Sequence, residues 1–124
     1  MRRLIDVGLA LGYAGLIFFL SAQSGFTVPR GIWSFDKVVH LVEYAVLAFL
    51  IARALRHAPT LRWPVPAAIL LSTLYGVSDE IHQSFVPGRV ADPYDAIADA
   101  VGSLLGAAAF SFHSRAGSRV KRVT

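Results

Sequence analysis

The sequence predicts an all-α integral membrane protein, a bundle of four helices with both termini on the same side. Of its 124 residues 55% are hydrophobic, and the mean hydropathy is +0.55, which is too apolar for a soluble domain of this length. Four stretches approach the roughly 20 residues that a helix needs to cross a bilayer. They lie at residues 4–22, 37–55, 65–81 and 93–112. We therefore expect one membrane domain over residues 1–124.

The first predicted helix, residues 4–22, is apolar and follows two arginines. Asp6 lies within one turn of Arg2 and Arg3, so we expect either an ion pair with them at the interface or a charge that stabilises the helix start. A cleaved signal peptide would begin in the same way, but this apolar run is long for one and three further spans follow. Glycines recur at a spacing that lets a second helix approach closely: Gly8, Gly12 and Gly15.

The second predicted helix, residues 37–55, carries its acids and its histidine near its start. Lys37, His40 and Tyr44 are spaced i, i+3 and i+7, and Glu43 lies three residues beyond His40. This spacing places the four side chains on about half of the helix surface at one end. From residue 45 to residue 52 the helix is wholly apolar. The pattern predicts a polar site at the start of this helix.

The third predicted helix, residues 65–81, is apolar until its last turns. Its end and the residues directly after it carry five closely spaced polar side chains: Ser78, Asp79, Glu80, His82 and Gln83. The next residues contain Pro87-Gly88, a pair that favours a tight turn, and Arg89 stands at the far side of that turn. Asp92 precedes Pro93, which is the usual order of an N-cap and a first helical residue.

The fourth predicted helix, residues 93–112, carries acids and glycines on one stripe. The spacing is i, i+3, i+7, i+10 and i+14 for Asp92, Asp95, Asp99, Gly102 and Gly106. A charge in the middle of a spanning helix costs ~2.5–3.5 kcal/mol on insertion scales. We therefore expect the stripe to face protein, where the glycine pair admits a neighbouring helix.

The charged residues divide unevenly between the two sides of this bundle. With a cytoplasmic N-terminus, nine of the twelve Lys and Arg residues lie inside and seven of the eight acids lie outside. The positive-inside rule therefore predicts two cytoplasmic termini, and the anionic membrane surface explains the basic tail without a nucleic acid. The three outer cations are Arg30, Lys37 and Arg89. The seven outer acids are Asp36, Glu43, Asp79, Glu80, Asp92, Asp95 and Asp99.

Seven acids against three cations exceed what helix caps and ion pairs need, although polar contacts do hold membrane helices together. The acids must be paired, protonated or placed in a wet cleft that opens to the outer face. A metal site is conceivable, but no metal-binding signature is present, so we predict no metal and no cofactor. Its nitrogen and oxygen ligands would be His40, Glu43, Asp79, His82 and Asp95.

Covalent catalysis is only weakly indicated. Ser78 or Ser84 could be combined with His82 and an acid, but no nucleophile-elbow pattern surrounds either serine. The chain has no cysteine, which excludes disulfides and thiolate metal ligands. A histidine beside acids is more often a hydrogen-bonded structural group than a catalytic base.

Several motifs resemble those of a known family. The run Asp79-Glu-Ile-His-Gln-Ser-Phe-Val-Pro-Gly-Arg89, followed by Asp95 and Gly102-Ser-Leu-Leu-Gly106, resembles the VanZ-like family of small bacterial membrane proteins. Ser21-Ala-Gln23 and the segment 36–44 look like that family's two earlier motifs. The resemblance covers about residues 15–110. Asp99 departs from it, because many relatives carry asparagine there, and this puts the shared role of that position in doubt.

The resemblance implies a multi-helix protein of the bacterial inner membrane. The family is named for a member linked to resistance against the glycopeptide antibiotic teicoplanin, and it brings no established reaction. Our leading hypothesis is a non-enzymatic protein whose outer polar cleft binds a cell-envelope precursor or a membrane lipid headgroup. In this hypothesis Arg89 and Lys37 hold a phosphate or carboxylate, while acids and glutamines accept hydroxyls, amides or an amine.

Two other functions stay open at this point. One is a membrane-embedded enzyme with Asp79 or Glu80 as general base, possibly assisted by a metal. The other is a proton-coupled carrier with Asp95, Asp99 and Glu43 as relay groups, which would need a dimer, for which the glycines of the first helix offer a contact. The candidate ligand-binding residues are Gln23, Lys37, His40, Glu43, Tyr44, Asp79, Glu80, Gln83, Arg89, Asp95 and Asp99.

Overall fold

The computed structural model describes residues 1–24 and 35–117 in full and the helical backbone of residues 118–120. Arg30, Lys121 and Arg122, which entered the charge count, lie outside the described residues. The described chain forms four α-helices and no strand, which confirms the predicted fold class. They are α1 Arg2–Ser21, α2 Phe35–Leu55, α3 Pro64–Gln83 and α4 Pro93–Val120.

The helix boundaries follow local sequence signals. Pro93 opens α4, and Oδ1 of Asp92 accepts the backbone N–H of Tyr94 at 2.9 Å, so Asp92 is the N-cap that its position before proline predicts. The turn after α3 closes with the N–H of Arg89 donating to the carbonyl of Val86 at 3.0 Å. Gly88 has φ +81° there, a conformation that favours glycine. Beyond the predicted end at residue 112, α4 continues to Val120.

The closest helix pair is α2 and α4. A Cβ atom at Gly102 would collide with the backbone carbonyl of Leu41, and one at Gly106 would collide with that of Ala45. The glycine stripe of α4 therefore faces protein, as predicted, and the neighbouring helix there is α2; Asp99 lies on the same buried side. Helix α3 packs against both α2 and α4.

Helix α1 lies at the edge of the bundle, against α2 and along a short stretch of α3. Its three glycines have open space where a Cβ atom would stand: Gly8, Gly12 and Gly15. An apolar groove of about 390 Å³ lies beside it, lined by residues that include Ala10, Ala14, Leu47, Leu71 and Tyr75. The glycine face of α1 is therefore unpacked along the middle of the helix.

The core between the two ends of the bundle is small and is built from two clusters. One contains Ile17, Tyr44 and Leu47, and the other contains Ala52, Ala68 and Phe110. Between them the hydroxyl oxygens of Ser72 and Ser103 lie 2.8 Å apart, and both side chains are fully buried. Small residues and one hydroxyl pair thus bring α2, α3 and α4 close together, as in other helix bundles in membranes.

Three of the described helices are long and apolar enough to cross a membrane: Arg2–Ser21, Phe35–Leu55 and, within α4, Pro93–Gly117. Helix α3 is as long as α1, with 20 residues, but it is less apolar and is not among these three helices. We had expected a fourth span there, at residues 65–81. The lower hydropathy of α3 comes from its polar last turns, which include Asp79, Glu80 and His82. These groups are accommodated by packing against the other helices.

The expected ion pair of Asp6 with Arg2 and Arg3 is wrong. Asp6 is 2% exposed and faces the end of α2, where its oxygens lie 2.7 Å from Nη2 of Arg53 and 2.8 Å from Nε2 of His57. Arg56 approaches the same carboxylate at 3.4 Å. Arg2 and Arg3 share a helical turn with Asp6, but their side chains are exposed. We call Asp6, Arg53, Arg56 and His57 the basic-end cluster.

Candidate functional site

The start of α2, the end of α3 and the start of α4 meet at the opposite end of the bundle, which we call the acidic end. All seven acids that the sequence assigned to one side belong to segments that meet here. A cleft of about 240 Å³ opens there between the end of α1, the start of α2 and the turn after α3. Its lining residues are Leu20, Ser21, Phe35, Asp36, Val39, His40, Glu43, Gln83 and Arg89.

Arg89 is fixed at the cleft by a chain of hydrogen bonds. Its Nη2 donates to Oε1 of Gln83 at 2.8 Å, and Nε2 of Gln83 donates to Oδ2 of Asp79 at 3.0 Å. Asp79 precedes Gln83 by four residues, so both lie on one face of α3. The hydroxyl of Ser21 donates to the same Asp79 oxygen at 2.8 Å, which ties the end of α1 into the chain.

Lys37 is balanced by two acids of the α4 start. Its Nζ lies 2.8 Å from Oδ2 of Asp92 and 2.9 Å from Oδ1 of Asp95. The lysine therefore bridges α2 and α4, and its charge is already neutralised. Among the described cations, Arg89 is the one that lines the cleft, so it is the better candidate for holding an anionic ligand group.

His40 lies at the floor of the cleft and joins two acids of α4. Its Nδ1 is 2.9 Å from Oδ1 of Asp99, and its Nε2 is 3.9 Å from Oδ2 of Asp95. His40 is 5% exposed and Asp99 is fully buried. A Cβ atom at Gly76 would collide with Asp99, so the absence of a side chain in α3 makes room for this carboxylate. Residue spacing within α4 alone does not reveal that contribution from α3.

Asp79 and Glu80, the predicted general-base candidates, are both nearly buried and both hold structure in place. Asp79 accepts the two hydrogen bonds from α1 and α3 described above. Oε2 of Glu80 accepts the backbone N–H of Asp92 at 2.9 Å and so anchors the start of α4 to α3. Oε1 of Glu80 has no hydrogen-bond partner among the described residues.

Two further candidates lie away from the cleft. Tyr44 is fully buried one turn below His40, with the two rings nearly parallel and 6.5 Å apart. Gln23, just beyond the end of α1, donates from Nε2 to the carbonyl of Phe19 at 2.9 Å. Tyr44 therefore contributes to the core, and Gln23 to the end of α1.

Ser78, Ser84 and His82, which were considered above as a catalytic combination, make structural contacts. The hydroxyls of Ser78 and Ser84 donate to carbonyls of their own helix, at Tyr75 and Ile81. The ring of His82 stacks on Phe18 with centroids 4.5 Å apart. This geometry is not that of a nucleophile activated by a base.

Sequence reasoning missed Asp36 and Ser21 as cleft residues. Asp36 was counted among the outer acids, and its position four residues before His40 places both side chains on one face of α2. That spacing was the available signal. One ligand atom from each of Asp36, His40 and Asp95 lies within 4.8 Å of the others, and the same holds for His40, Glu80 and Asp99. Of the five metal ligands considered from the sequence, His40 and Asp95 belong to these groups, whereas Glu43, Asp79 and His82 do not.

The fold and this end define a small multi-pass membrane protein whose cleft at the acidic end is lined by both polar and apolar side chains. The chain belongs to the VanZ/LLP1 family, whose model matches residues 7–114. The match confirms the resemblance drawn from the motifs. No curated protein and no solved structure matches the chain.

Proposed function

We propose that this VanZ-like membrane protein is a non-enzymatic binder that takes the polar headgroup of a membrane lipid or lipid-linked envelope precursor into the cleft of the acidic end. The observation that carries the proposal is the mixed lining of that cleft. Arg89, held by Gln83, shares one cavity with the carboxylates of Asp36 and Glu43. A guanidinium matches a phosphate or carboxylate, and carboxylates match an ammonium or hydroxyl groups.

The size and the apolar part of the lining also favour a headgroup. A volume of about 240 Å³ is below the ~300–1,000 Å³ of most drug-sized ligand sites, so the cleft suits a compact polar group. Leu20, Phe35 and Val39 line it as well and would contact the first carbons of an attached chain. A glycopeptide antibiotic is far larger than this cleft. A role in teicoplanin resistance would therefore act through an envelope component.

The proposed orientation places the acidic end at the outer face of the bacterial cytoplasmic membrane and both termini in the cytoplasm. It is supported by the bias of Lys and Arg towards the other end, where Arg53, Arg56 and Arg62 lie. The chain has no cysteine, so single cysteines report cleanly. A membrane-impermeant maleimide should label Val90→Cys from outside and leave Ala58→Cys unlabelled; the reverse pattern would contradict the orientation.

Native mass spectrometry tests the binding function. Protein purified in mild detergent is incubated with phosphatidylethanolamine or with a short polyprenyl phosphate, and the bound fraction is compared between variants. Arg89→Ala should lose at least about 10-fold in affinity, since one charge-assisted contact is worth ~1.5–3 kcal/mol. Arg62→Ala removes an exposed arginine at the opposite end and should bind like wild type. Equal binding by Arg89→Ala and wild type would contradict the proposed role of the cleft.

A second candidate is a metal-assisted enzyme acting on a lipid-linked substrate. The observation that favours it is the grouping of Asp36, His40 and Asp95 beside the cleft. Turnover of a lipid-linked phosphate that disappears in Glu80→Gln, while binding and folding persist, would support this candidate. A binder yields no product from any variant.

A further inference from the structure

We infer that Asp36, His40 and Asp95 form a binding site for one divalent metal cation at the floor of the cleft, with Asp99 as the residue that orients His40. The three ligand residues come from the start of α2 and the start of α4, and one ligand atom of each lies within 4.8 Å of the other two. Asp36 and His40 also line the cleft, so an ion at this position is reachable from it.

The position of His40 is a second observation that points to a ligand. Its Nδ1 lies 2.9 Å from Oδ1 of the fully buried Asp99, so this ring nitrogen is engaged within the fold. Nε2 is therefore the ring nitrogen that remains for a ligand. Nε2 makes no hydrogen bond with any residue that the structure describes, although His40 is 5% exposed. Carboxylate–histidine pairs of this kind orient metal ligands in many proteins.

Nε2 of His40 faces a carboxylate oxygen across a gap that fits a metal ion. Its separation from Oδ2 of Asp95 is 3.9 Å, which is too long for a hydrogen bond. Two metal–ligand bonds of ~2.0–2.2 Å span such a gap. Lys37 takes the other oxygen, Oδ1, at 2.9 Å, and so fixes Asp95 with Oδ2 towards the histidine.

The local charge also favours a cation. Asp36, half-buried one helical turn before His40, has no ion pair with the described cations, and among the described side chains the carboxylate of Asp99 pairs with His40. Buried carboxylates without a compensating charge are costly in a low-dielectric environment. A divalent ion would balance Asp36 and the part of Asp95 that Lys37 does not.

The ligand set restricts the kind of ion. One imidazole with two carboxylates suits a borderline or hard divalent ion such as Mn²⁺, Zn²⁺ or Fe²⁺ better than a soft one. Three protein ligands leave coordination positions open towards the cleft. An anionic headgroup could occupy one of them beside Arg89; this last consequence rests on the proposed function, and the cation site itself does not.

Mn²⁺ titration followed by electron paramagnetic resonance tests the site. The free Mn²⁺ signal is measured against purified protein in detergent with no lipid added, so the outcome is independent of headgroup binding. Wild type should bind one ion per chain. Asp36→Asn should bind at least ~10-fold more weakly, and Asp99→Asn ~10–100-fold more weakly at unchanged stoichiometry, as loss of an orienting partner predicts.

Glu80→Gln is the matched control, because it belongs only to the deeper group with His40 and Asp99. It should bind Mn²⁺ like wild type. A loss in Glu80→Gln with none in Asp36→Asn would overturn the assignment in favour of the deeper group. Absence of binding by folded wild type would overturn it altogether. Asp36 is only partly buried and lies at the first turn of α2, so its variant should keep the helical circular dichroism of wild type.

Discussion

The two ends of this bundle satisfy their buried carboxylates in different ways. At the basic end one acid, Asp6, is surrounded by three basic side chains of the α2 terminus. At the acidic end Asp79 and Glu80 accept hydrogen bonds from a serine, a glutamine and a backbone N–H, which carry no charge. The basic-end cluster is therefore a closed ion network that joins α1 to α2. The acidic end keeps an excess of negative charge.

This difference distinguishes a carboxylate whose charge the fold needs from carboxylates whose charge it does not need. Removing one partner of a buried ion network leaves uncompensated charge, whereas a carboxylate held by neutral donors can be replaced by an amide of the same shape. The same substitution, aspartate to asparagine, should thus have different effects at the two ends. A charge retained without a structural need is a usual property of a ligand site.

The largest effect is expected where α2 and α4 cross, because this crossing holds both ends in place. In Gly106→Val the new side chain collides with the backbone of Ala45, and backbone atoms cannot move aside as side chains do. We expect a loss of at least ~3 kcal/mol, the upper range for overpacked cores, and little folded protein. The measurement is the monodisperse fraction after detergent extraction.

Gly12→Val is the control for this change, since nothing lies within 4 Å of the added Cβ in α1. It should yield folded protein at the wild-type level. Equal yields of the two variants would mean that the α2–α4 crossing is wider than described, and the positions of both ends would then be in question.

The next largest effect is expected for Asp6→Asn at the basic end. The variant removes the single negative charge among Arg53, Arg56 and His57, so the basic groups repel one another and α1 loses its attachment to α2. Thermal unfolding in detergent should show a clearly lower midpoint than wild type. An unchanged midpoint would show that the cluster contributes little to stability.

The smallest effect is expected for Asp79→Asn at the acidic end. Both hydrogen bonds to Asp79 end on Oδ2, and the asparagine oxygen can accept both while a charge is removed. The free energy of unfolding should change by less than about 1 kcal/mol, measured in the same thermal assay as Asp6→Asn. A loss as large as that of Asp6→Asn would mean that the negative charge of Asp79 itself stabilises the fold.

Much of the architecture could be predicted because it depends on local or periodic signals. Apolar segments, the Asp92 cap and the glycine pair of α4 are each readable within a few turns of one helix. The partners of Asp6 were mispredicted because they depend on which face of α1 packs against α2. Local spacing indicated Arg2 and Arg3 as the partners of Asp6, whereas the packed helices place it beside residues about 50 positions away in the sequence.

The sequence predicts which residues gather at the acidic end, but it does not predict how they contact one another. Residue types and helix ends indicate that acids, His40 and Arg89 gather there. These signals do not indicate that Lys37 pairs with Asp92 and Asp95, or that Gly76 of α3 leaves space for the side chain of Asp99. These contacts depend on helix rotation and on the relative height of the helices, which no single segment encodes.

Helix α1 connects the basic-end cluster to the cleft. Asp6 pairs with Arg53 at one end of the helix, Ser21 donates to Asp79 at the other, and between them the carbonyl of Ala14 accepts the hydroxyl of Tyr75 at 2.6 Å. Leu20 and Ser21 are also walls of the cleft. Since 15 residues of helix span about 22 Å, one helix joins the basic-end cluster to the wall of the cleft. A substitution that shifts α1 at Asp6 would therefore also displace Leu20 and Ser21 at the other end of the bundle.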